Sequence, residues 1–264
     1  MTVSKILITT GDNDDGHQTT SEIKDLSIKG GNKCINWPDF PISVSQAQGG
    51  LIKDTVMICG GRYGGANGEI FDECYSLTAQ KATFVTHMSV RRYWAASIVI
   101  RNKYLWITGG YDGGGLYLSS TELVNVHGSI AGPDLPLGLV DHAMVAVNYS
   151  CSMVIGGHKQ GSLIASTYYY DYINDEWTNG PSLIHRRWYH AAGIVTDEVT
   201  NENFVAVTGG YNGFYLGTEV LYDVEWVEGK RKDALKNYIV ERLLTKCSYH
   251  SIITLNRNSF ICFG

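Results

Sequence analysis

Short apolar runs that end in glycine recur along the whole chain. The six runs are KILITTG, TVMICGG, YLWITGG, SMVIGG, FVAVTGG and SFICFG. Their first glycines stand at Gly11, Gly60, Gly109, Gly156, Gly209 and Gly264, so the period is close to 50 residues throughout. Six occurrences at a nearly constant spacing indicate an internal structural repeat.

Each period contains four strand-like segments, which we name a to d. An apolar run precedes each glycine pair, as in WAASIVI and HAAGIV, and β-prone runs such as STYYYDY and TEVLYDV follow it. Strand b ends at the glycine pair, where positive φ angles and close backbone approach favour a residue without Cβ. The glycines predicted to be structural are Gly60, Gly61, Gly109, Gly110, Gly156, Gly157, Gly209 and Gly210.

Four strands within a period of this length predict an all-β propeller of four-stranded blades. The pattern gives 21 strands, one more than a five-bladed ring holds. Because a propeller hides its edges by closing, we expect an incomplete six-bladed or seven-bladed ring. We expect one domain over 1–264, with repeats at 1–52, 53–99, 100–147, 148–195 and 196–255 and a partial repeat at 256–264.

Composition narrows the class of function. The chain has 264 residues, of which 44% are hydrophobic and 18% charged, which argues against disorder. A net charge of −5 is the wrong sign for a dedicated nucleic-acid binder. No apolar run approaches the roughly 20 residues that span a bilayer, and the run in MTVSKILITTG is too short for a signal peptide. We therefore expect neither nucleic acid nor membrane as a partner.

Signatures of catalysis and of resident cofactors are missing from the sequence. It contains no HExxH, GxSxG, Walker-type GxxxxGK or CxxC motif. The acidic run Asp12–Gly16 suggests a calcium loop, but Gly11 occupies the first ligand position, so a turn between strands b and c is favoured. The sequence predicts a protein that is not an enzyme and needs no cofactor or metal.

Histidines and glutamates each recur at one position of the repeat. The histidines are His142, His190 and His250, with Trp94 and Gln48 as their counterparts in other repeats. The glutamates are Glu22, Glu73, Glu122 and Glu219. Equivalent positions of a ring lie on different blades, so neither set should converge on one metal ion. We expect both to be architectural, the glutamates accepting hydrogen bonds from backbone or arginine.

The glycine pairs, the Glu-x-x-Tyr spacing and the tryptophans together resemble the kelch repeat over essentially the whole chain. The sequence departs from the pattern in two ways. Thr10-Gly11 stands where the first repeat should have a glycine pair, and the second and third repeats lack the tryptophan. The resemblance implies that Trp37, Trp177 and Trp226 pack between blades, with sugar stacking as the alternative. Copper oxidases similar to galactose oxidase also use such propellers, but they need two histidines and a Tyr–Cys crosslink, which no cluster here provides.

One face of the predicted propeller collects the loops between strands b and c and those between strands d and a. Arginine and tyrosine, both common at binding hot spots, are frequent in them. The predicted partner-binding residues are Arg62, Tyr63, Arg92, Tyr111, His158, Arg187, Tyr189, Tyr211 and Asn212. Kelch domains that bind peptides commonly contact an acidic segment through arginines at the positions of Arg62, Arg92 and Arg187.

The resemblance therefore implies a non-catalytic module that binds a protein or peptide, possibly an acidic one. Two alternatives stay open. The chain could be the substrate receptor of a ubiquitin ligase adaptor, in which kelch repeats often follow a BTB domain, or it could be a galactose-oxidase-like or carbohydrate-binding propeller.

Cysteines and one sequon bear on localisation. Cys59 and Cys262 lie in predicted b strands and should be buried as small apolar residues. Neighbouring blades could bring Cys34 and Cys74 together. Asn148 begins an Asn-Tyr-Ser sequon in a predicted turn between strands a and b. Both features favour an extracellular location, with the cytoplasm as the alternative, and the sequence leaves this open.

Overall fold

Every regular element that the structure describes is a β-strand. The computed structural model describes residues 5–13, 16–25, 35–64, 68–196, 203–212, 223–225, 251–256 and 259–263. Cys34, Glu219, Trp226 and His250 lie outside these residues, so the predictions made for them are not addressed. The described part contains no helix that could cross a membrane. The all-β prediction is confirmed.

The chain divides into two compact units, Thr2–Val140 and Asp141–Gly264. The first unit contains a three-stranded sheet of β1 (Lys5–Asn13), β2 (Gly16–Asp25) and β3 (Ile35–Trp37). Its second sheet consists of β4 (Gln48–Ile52), β5 (Thr55–Cys59), β8 (Glu73–Leu77) and β9 (Ala82–His87), with the hairpin β6 (Arg62–Tyr63) and β7 (Glu69–Ile70) between β5 and β8. Its third sheet consists of β10 (Ala96–Ile100), β11 (Tyr104–Thr108), β12 (Thr121–Asn125) and β13 (Gly128–Ala131).

The second unit repeats the same plan. A four-stranded sheet consists of β14 (Ala143–Ala146), β15 (Cys151–Ile155), β18 (Thr167–Asp171) and β19 (Glu176–Asn179), with the hairpin β16 (His158–Lys159) and β17 (Ser162–Leu163) inserted after β15. The remaining strands are β20 (Ala191–Thr196), β21 (Asn203–Thr208), β22 (Asp223–Glu225), β23 (Ser251–Asn256) and β24 (Ser259–Phe263). The predicted strands a to d are thus complete in three antiparallel sheets, as in the blades of a propeller-like fold.

The glycine pairs link each sheet to the loop that follows it. All eight predicted glycines have positive φ. The N–H of the second glycine donates to a carbonyl of the loop before the next sheet: Gly61 to Arg92 at 2.9 Å, Gly110 to Leu139 at 2.8 Å and Gly157 to Arg187 at 2.8 Å. A Cβ at Gly110 would lie 2.8 Å from the Tyr93 carbonyl oxygen, closer than real Cβ contacts come. The positive φ angles expected from the sequence are thus present at all eight positions.

Strand β5 of the second sheet sends alternate side chains into two cores, because side chains alternate across a strand. Met57 and Cys59 of β5 pack with Leu105 and Ile107 of β11, whereas Ile58 packs in a separate cluster with Phe40. The sheet is therefore covered on both faces, which explains why β5 is apolar from Val56 to Cys59. Trp37 packs against the cluster that contains Ile58, in keeping with its predicted structural role.

In the second unit, one core fills the space between two sheets. Met153 and Ile155 of β15 pack with Val205 and Val207 of β21. Trp177 contacts Tyr170 of its own sheet, with the ring centroids 4.9 Å apart.

One predicted cysteine pairing is wrong. Cys59 and Cys74 lie directly opposite each other on β5 and β8 and form a disulfide, with the Cα atoms 4.1 Å apart. Because the pairing register already joins these two residues within one sheet, Cys74 needs no partner from a neighbouring sheet. Cys59 is buried as expected, but it is not a free thiol.

The close approach at Gly110 predicts a measurable difference between two glycines with positive φ. Ala at Gly115, which has φ +103° and open surroundings, should cost only the conformational strain of about 1–3 kcal/mol. Gly110→Ala carries the same strain and must also displace the Tyr93 carbonyl, so it should lower the free energy of unfolding further. Urea unfolding of both variants measures the difference, and equal losses would show that the contact is unimportant.

Candidate functional site

Two backbone hydrogen bonds hold the glycine-pair loop against the loop that enters the same sheet in three of the described sheets. The residue after the glycine pair forms an isolated antiparallel bridge: Arg62 with Ser45, Tyr111 with Tyr93, and Tyr211 with Trp188. The paired N–H and carbonyl groups lie 2.8–3.2 Å apart in all three bridges. The same local arrangement in both units places side chains of the two loops side by side.

An aromatic cluster with one cation forms at these bridges in the first unit. We define the Arg62 cluster as Arg62, Tyr93, Trp94, Tyr111 and Tyr117. The Tyr93 ring centroid lies 4.4 Å from that of Trp94 and 5.5 Å from that of Tyr111. The ring centroids of Tyr111 and Tyr117 are 5.8 Å apart. The Arg62 guanidinium carbon lies 5.0 Å from the Tyr93 ring and 5.5 Å from the Trp94 ring, within cation–π range.

Several buried polar atoms of this region have no hydrogen-bond partner among the described residues. They are Arg62 Nε, Trp94 Nε1 and Ser45 Oγ. The structure also gives the Arg62 guanidinium no carboxylate partner in the part of the chain it describes. Buried donors are normally satisfied by protein, water or ligand, so these atoms mark a place where a ligand can bind.

The second unit carries a related cluster without the cation. We define the Trp188 cluster as His158, Trp188, Tyr189 and Tyr211. Trp188 stacks on Tyr189 with the centroids 4.2 Å apart and lies 5.1 Å from His158 and 6.2 Å from Tyr211. Burial lowers the pKa of His158, so the imidazole is neutral at pH 7. His158 takes the position of Arg62, and the two clusters therefore differ in charge.

Arg92 does not lie at the binding surface, and its predicted role as a contact residue is wrong. The residue is 1% exposed. Nη1 donates to the carbonyls of Gly109 and Ser120, both at 2.8 Å, and Nη2 donates to Glu122 Oε1 at 3.0 Å and to Ser120 Oγ at 3.2 Å. Nε donates to the Val90 carbonyl at 3.3 Å. All three nitrogens of the guanidinium thus donate to acceptors inside the protein.

Arg187 occupies the equivalent position in the second unit, and its predicted role as a contact residue is also wrong. It is buried, and Nη1 donates to the Gly209 carbonyl at 3.0 Å. Its carbonyl accepts the Gly157 N–H. Arginine before strand a is therefore architectural in both units, whereas Arg62, after the glycine pair, is half-buried among aromatic rings.

Glu122 has the architectural role predicted for the recurrent glutamates. Besides Arg92, it accepts hydrogen bonds from the Ser89 N–H, the Val90 N–H and the Ser129 hydroxyl. The prediction that Glu73 occupies the same repeat position as Glu122 is wrong. The N–H of the first glycine of the pair donates to the Glu73 carbonyl in the second sheet and to the Ser120 carbonyl in the third. Glu73 therefore corresponds to Ser120, two residues before Glu122.

The two recurrent histidines that the structure describes, His142 and His190, are buried, as a structural role requires. His190 Nε2 lies 3.0 Å from the Ile155 carbonyl oxygen, and burial lowers the pKa of His142 to about 3. Each histidine precedes the first residue of strand a, where the other sheets have Ala47 and Ala95. The predicted counterparts Gln48 and Trp94 are thus misaligned by one residue.

The remaining predicted contact residues lie at or next to the clusters. Tyr63 is 51% exposed on β6, beside Arg62, and Asn212 follows Tyr211. Sequence reasoning did not select Trp94, Tyr117 or Trp188. The signal for the first and last was present in the matching segments RRYWAA and RRWYHAA, where two aromatic residues follow two arginines.

One group in the described part of the chain brings three potential metal ligands together. Donor atoms of Asp72, Glu73 and His87 lie within 4.8 Å of one another. His87 Nδ1 lies 2.8 Å from Asp72 Oδ1, and this hydrogen bond raises the pKa of His87. The His87 side chain is largely exposed, and an ion pair at the surface accounts for the arrangement.

The fold has a counterpart among solved structures. The structure of YjhT is similar to this chain with a TM-score of 0.74 and 14% sequence identity, over 99% of this chain and 87% of that chain. Identity this low shows the fold alone. Comparison with family models and with curated protein sequences finds no match. Together with the antiparallel four-stranded sheets, the likeness supports a β-propeller-like fold.

The two neighbouring arginines should respond differently to mutation. Arg92→Met leaves the Glu122 carboxylate buried without its charge partner, so we expect a loss of about 3–5 kcal/mol in the free energy of unfolding. Arg91→Met is the matched control, because Arg91 is exposed and its Nε makes one hydrogen bond, to the Asp112 carbonyl at 3.0 Å. Its loss should stay within about 0.5 kcal/mol. Similar losses for both would contradict the buried role of Arg92.

Asp141 predicts a pH dependence of stability. Burial raises the pKa of its carboxyl group from 3.8 to about 8. Between these values the unfolded chain ionises Asp141 and the folded chain does not, so stability falls as pH rises, by up to about 1.4 kcal/mol per pH unit. Asp141→Asn should remove this fall. Unfolding free energies of both proteins at pH 5 and pH 8 check it, and a constant difference between them would contradict it.

Proposed function

We propose that the chain is a non-catalytic binding module of the kelch type, which holds an acidic segment of a protein or peptide on its glycine-pair loops. The Arg62 guanidinium carries the proposal. It is half-buried, faces two aromatic rings and has no carboxylate partner among the described residues. A carboxylate of a ligand would supply the missing partner.

The surroundings of Arg62 favour a polypeptide as the ligand. Tyrosine, tryptophan and arginine are the residues that contribute most at protein interfaces, because they bury large areas and keep a directional donor. Apolar side chains border the cluster in the first unit, since Tyr63 and Leu116 of the glycine-pair loops are more than half exposed. A peptide could place an acidic residue on Arg62 and apolar residues beside it.

The rigid attachment of the loops also supports a binding role. The bridges of Arg62 with Ser45 and of Tyr111 with Tyr93 fix the backbone on which the cluster side chains stand. A preformed site loses little conformational entropy when a ligand binds. Such a site needs no metal and no catalytic group to hold its partner.

The test begins with peptides selected from a random library on the immobilised chain. We expect the selected peptides to be enriched in Asp and Glu, and their affinity to fall with increasing salt, because partly exposed charge pairs are screened. Arg62→Met should weaken a selected peptide by about tenfold to a hundredfold, the equivalent of a charge-assisted hydrogen bond of about 1.5–3 kcal/mol. Titration by fluorescence anisotropy measures the change.

Lys103→Met is the charge-matched control. Lys103 lies exposed in the β10–β11 turn, at the end of its sheet away from the glycine pair. Its loss should leave the affinity unchanged. Selected peptides without acidic residues, or equal affinities of the wild type and Arg62→Met, would contradict the proposal.

A further inference from the structure

The turn between β14 and β15 presents the sequon Asn148-Tyr149-Ser150 at the surface. Asn148 is exposed and Tyr149 is 80% exposed. The turn is closed by hydrogen bonds from the N–H groups of Val147 and Asn148 to the Cys151 carbonyl, at 3.0 and 3.2 Å. A large group attached here would displace no packed side chain.

The side chains of the sequon contact each other directly. Asn148 Oδ1 accepts hydrogen bonds from the Ser150 N–H at 2.8 Å and from the Ser150 hydroxyl at 3.0 Å. Both bonds use the carboxamide oxygen. Asn148 Nδ2, the atom to which a glycan is attached, has no hydrogen-bond partner among the described residues.

An independent feature indicates the compartment in which such a site is used. The Cys59–Cys74 disulfide joins two buried residues of neighbouring strands. Disulfides persist in oxidising compartments and are rare where thiols are kept reduced. The secretory pathway, which forms disulfides, is also where Asn-x-Ser acceptors meet their glycan donor.

We infer that Asn148 is an N-glycosylation site of this protein. The donor is an oligosaccharide linked through diphosphate to a lipid carrier. Asn148 Nδ2 forms a bond to the anomeric carbon of the first sugar and loses one proton, while the bond from that carbon to the diphosphate oxygen breaks. The lipid diphosphate leaves with the electron pair, so no oxidation or reduction takes place.

Within the second unit, the glycan would lie away from the glycine-pair loop that carries His158. Asn148 precedes β15, whereas Gly156, Gly157 and His158 follow its other end. Within this sheet the sequon and the Trp188 cluster thus lie at opposite ends of one strand. A glycan on Asn148 should therefore leave the glycine-pair loop at His158 uncovered.

The test expresses the chain behind a cleavable secretory leader in cultured animal cells. Intact mass and peptide maps, before and after treatment with peptide N-glycosidase, report the occupancy of Asn148, because the enzyme leaves Asp in its place. We expect a glycan on the wild type and on Ser150→Thr, and none on Asn148→Gln or Ser150→Ala. The same map, made without reduction, reports whether Cys59 and Cys74 are linked.

Retention of the chain inside the cell does not prevent the measurement, because the intracellular pool is mapped in the same way. The chain isolated from its source is mapped as well. An unmodified Asn148 in either preparation would overturn the inference. Unchanged peptide affinity of Asn148→Gln is expected, so failure of this inference leaves the proposed binding function standing.

Discussion

A buried arginine joins two neighbouring sheets of the first unit, and the arrangement of the loops around it depends on this contact. The Arg92 carbonyl accepts the Gly61 N–H that follows β5, while the guanidinium bonds to Gly109, Ser120 and Glu122 around β11 and β12. Taking a charge out of water is costly unless it is paired and its donors are satisfied. Here all three nitrogens of the guanidinium have acceptors, so the charge fixes the loop between the sheets.

The same contact determines which arginine remains for binding. Arg92 and Arg187 lie before strand a and are enclosed by the following sheet, so their guanidinium groups stabilise the fold and do not face a ligand. Arg62 lies after the glycine pair, where the bridge to Ser45 holds its backbone and the rings of Tyr93 and Trp94 flank its side chain. Architecture and recognition are thus assigned to two different positions of the repeat, although the residue type is the same.

The sequence was sufficient to predict the strands and the glycine pairs, because these depend on local requirements. A glycine at positive φ and an apolar strand can be recognised without knowing their neighbours. Register and burial could not be predicted in this way. Glu73 was aligned with Glu122 and Trp94 with His142, since similar residue types occur within one or two positions of each other. Arg62 and Arg92 are both followed by tyrosine in the sequence, and only the packing of the next sheet distinguishes a buried arginine from an accessible one.

Arg92 and Glu122 should behave as one buried pair that joins two sheets. A double-mutant cycle of Arg92→Met and Glu122→Gln, measured as free energies of unfolding in urea, tests it most directly. Each single change leaves one buried charge unpaired and should cost about 3–5 kcal/mol, whereas the double variant has no unpaired charge. We therefore expect the double variant to lose much less than the sum of the two single losses. Losses that simply add would show that the two side chains act independently and that the pair does not join the sheets.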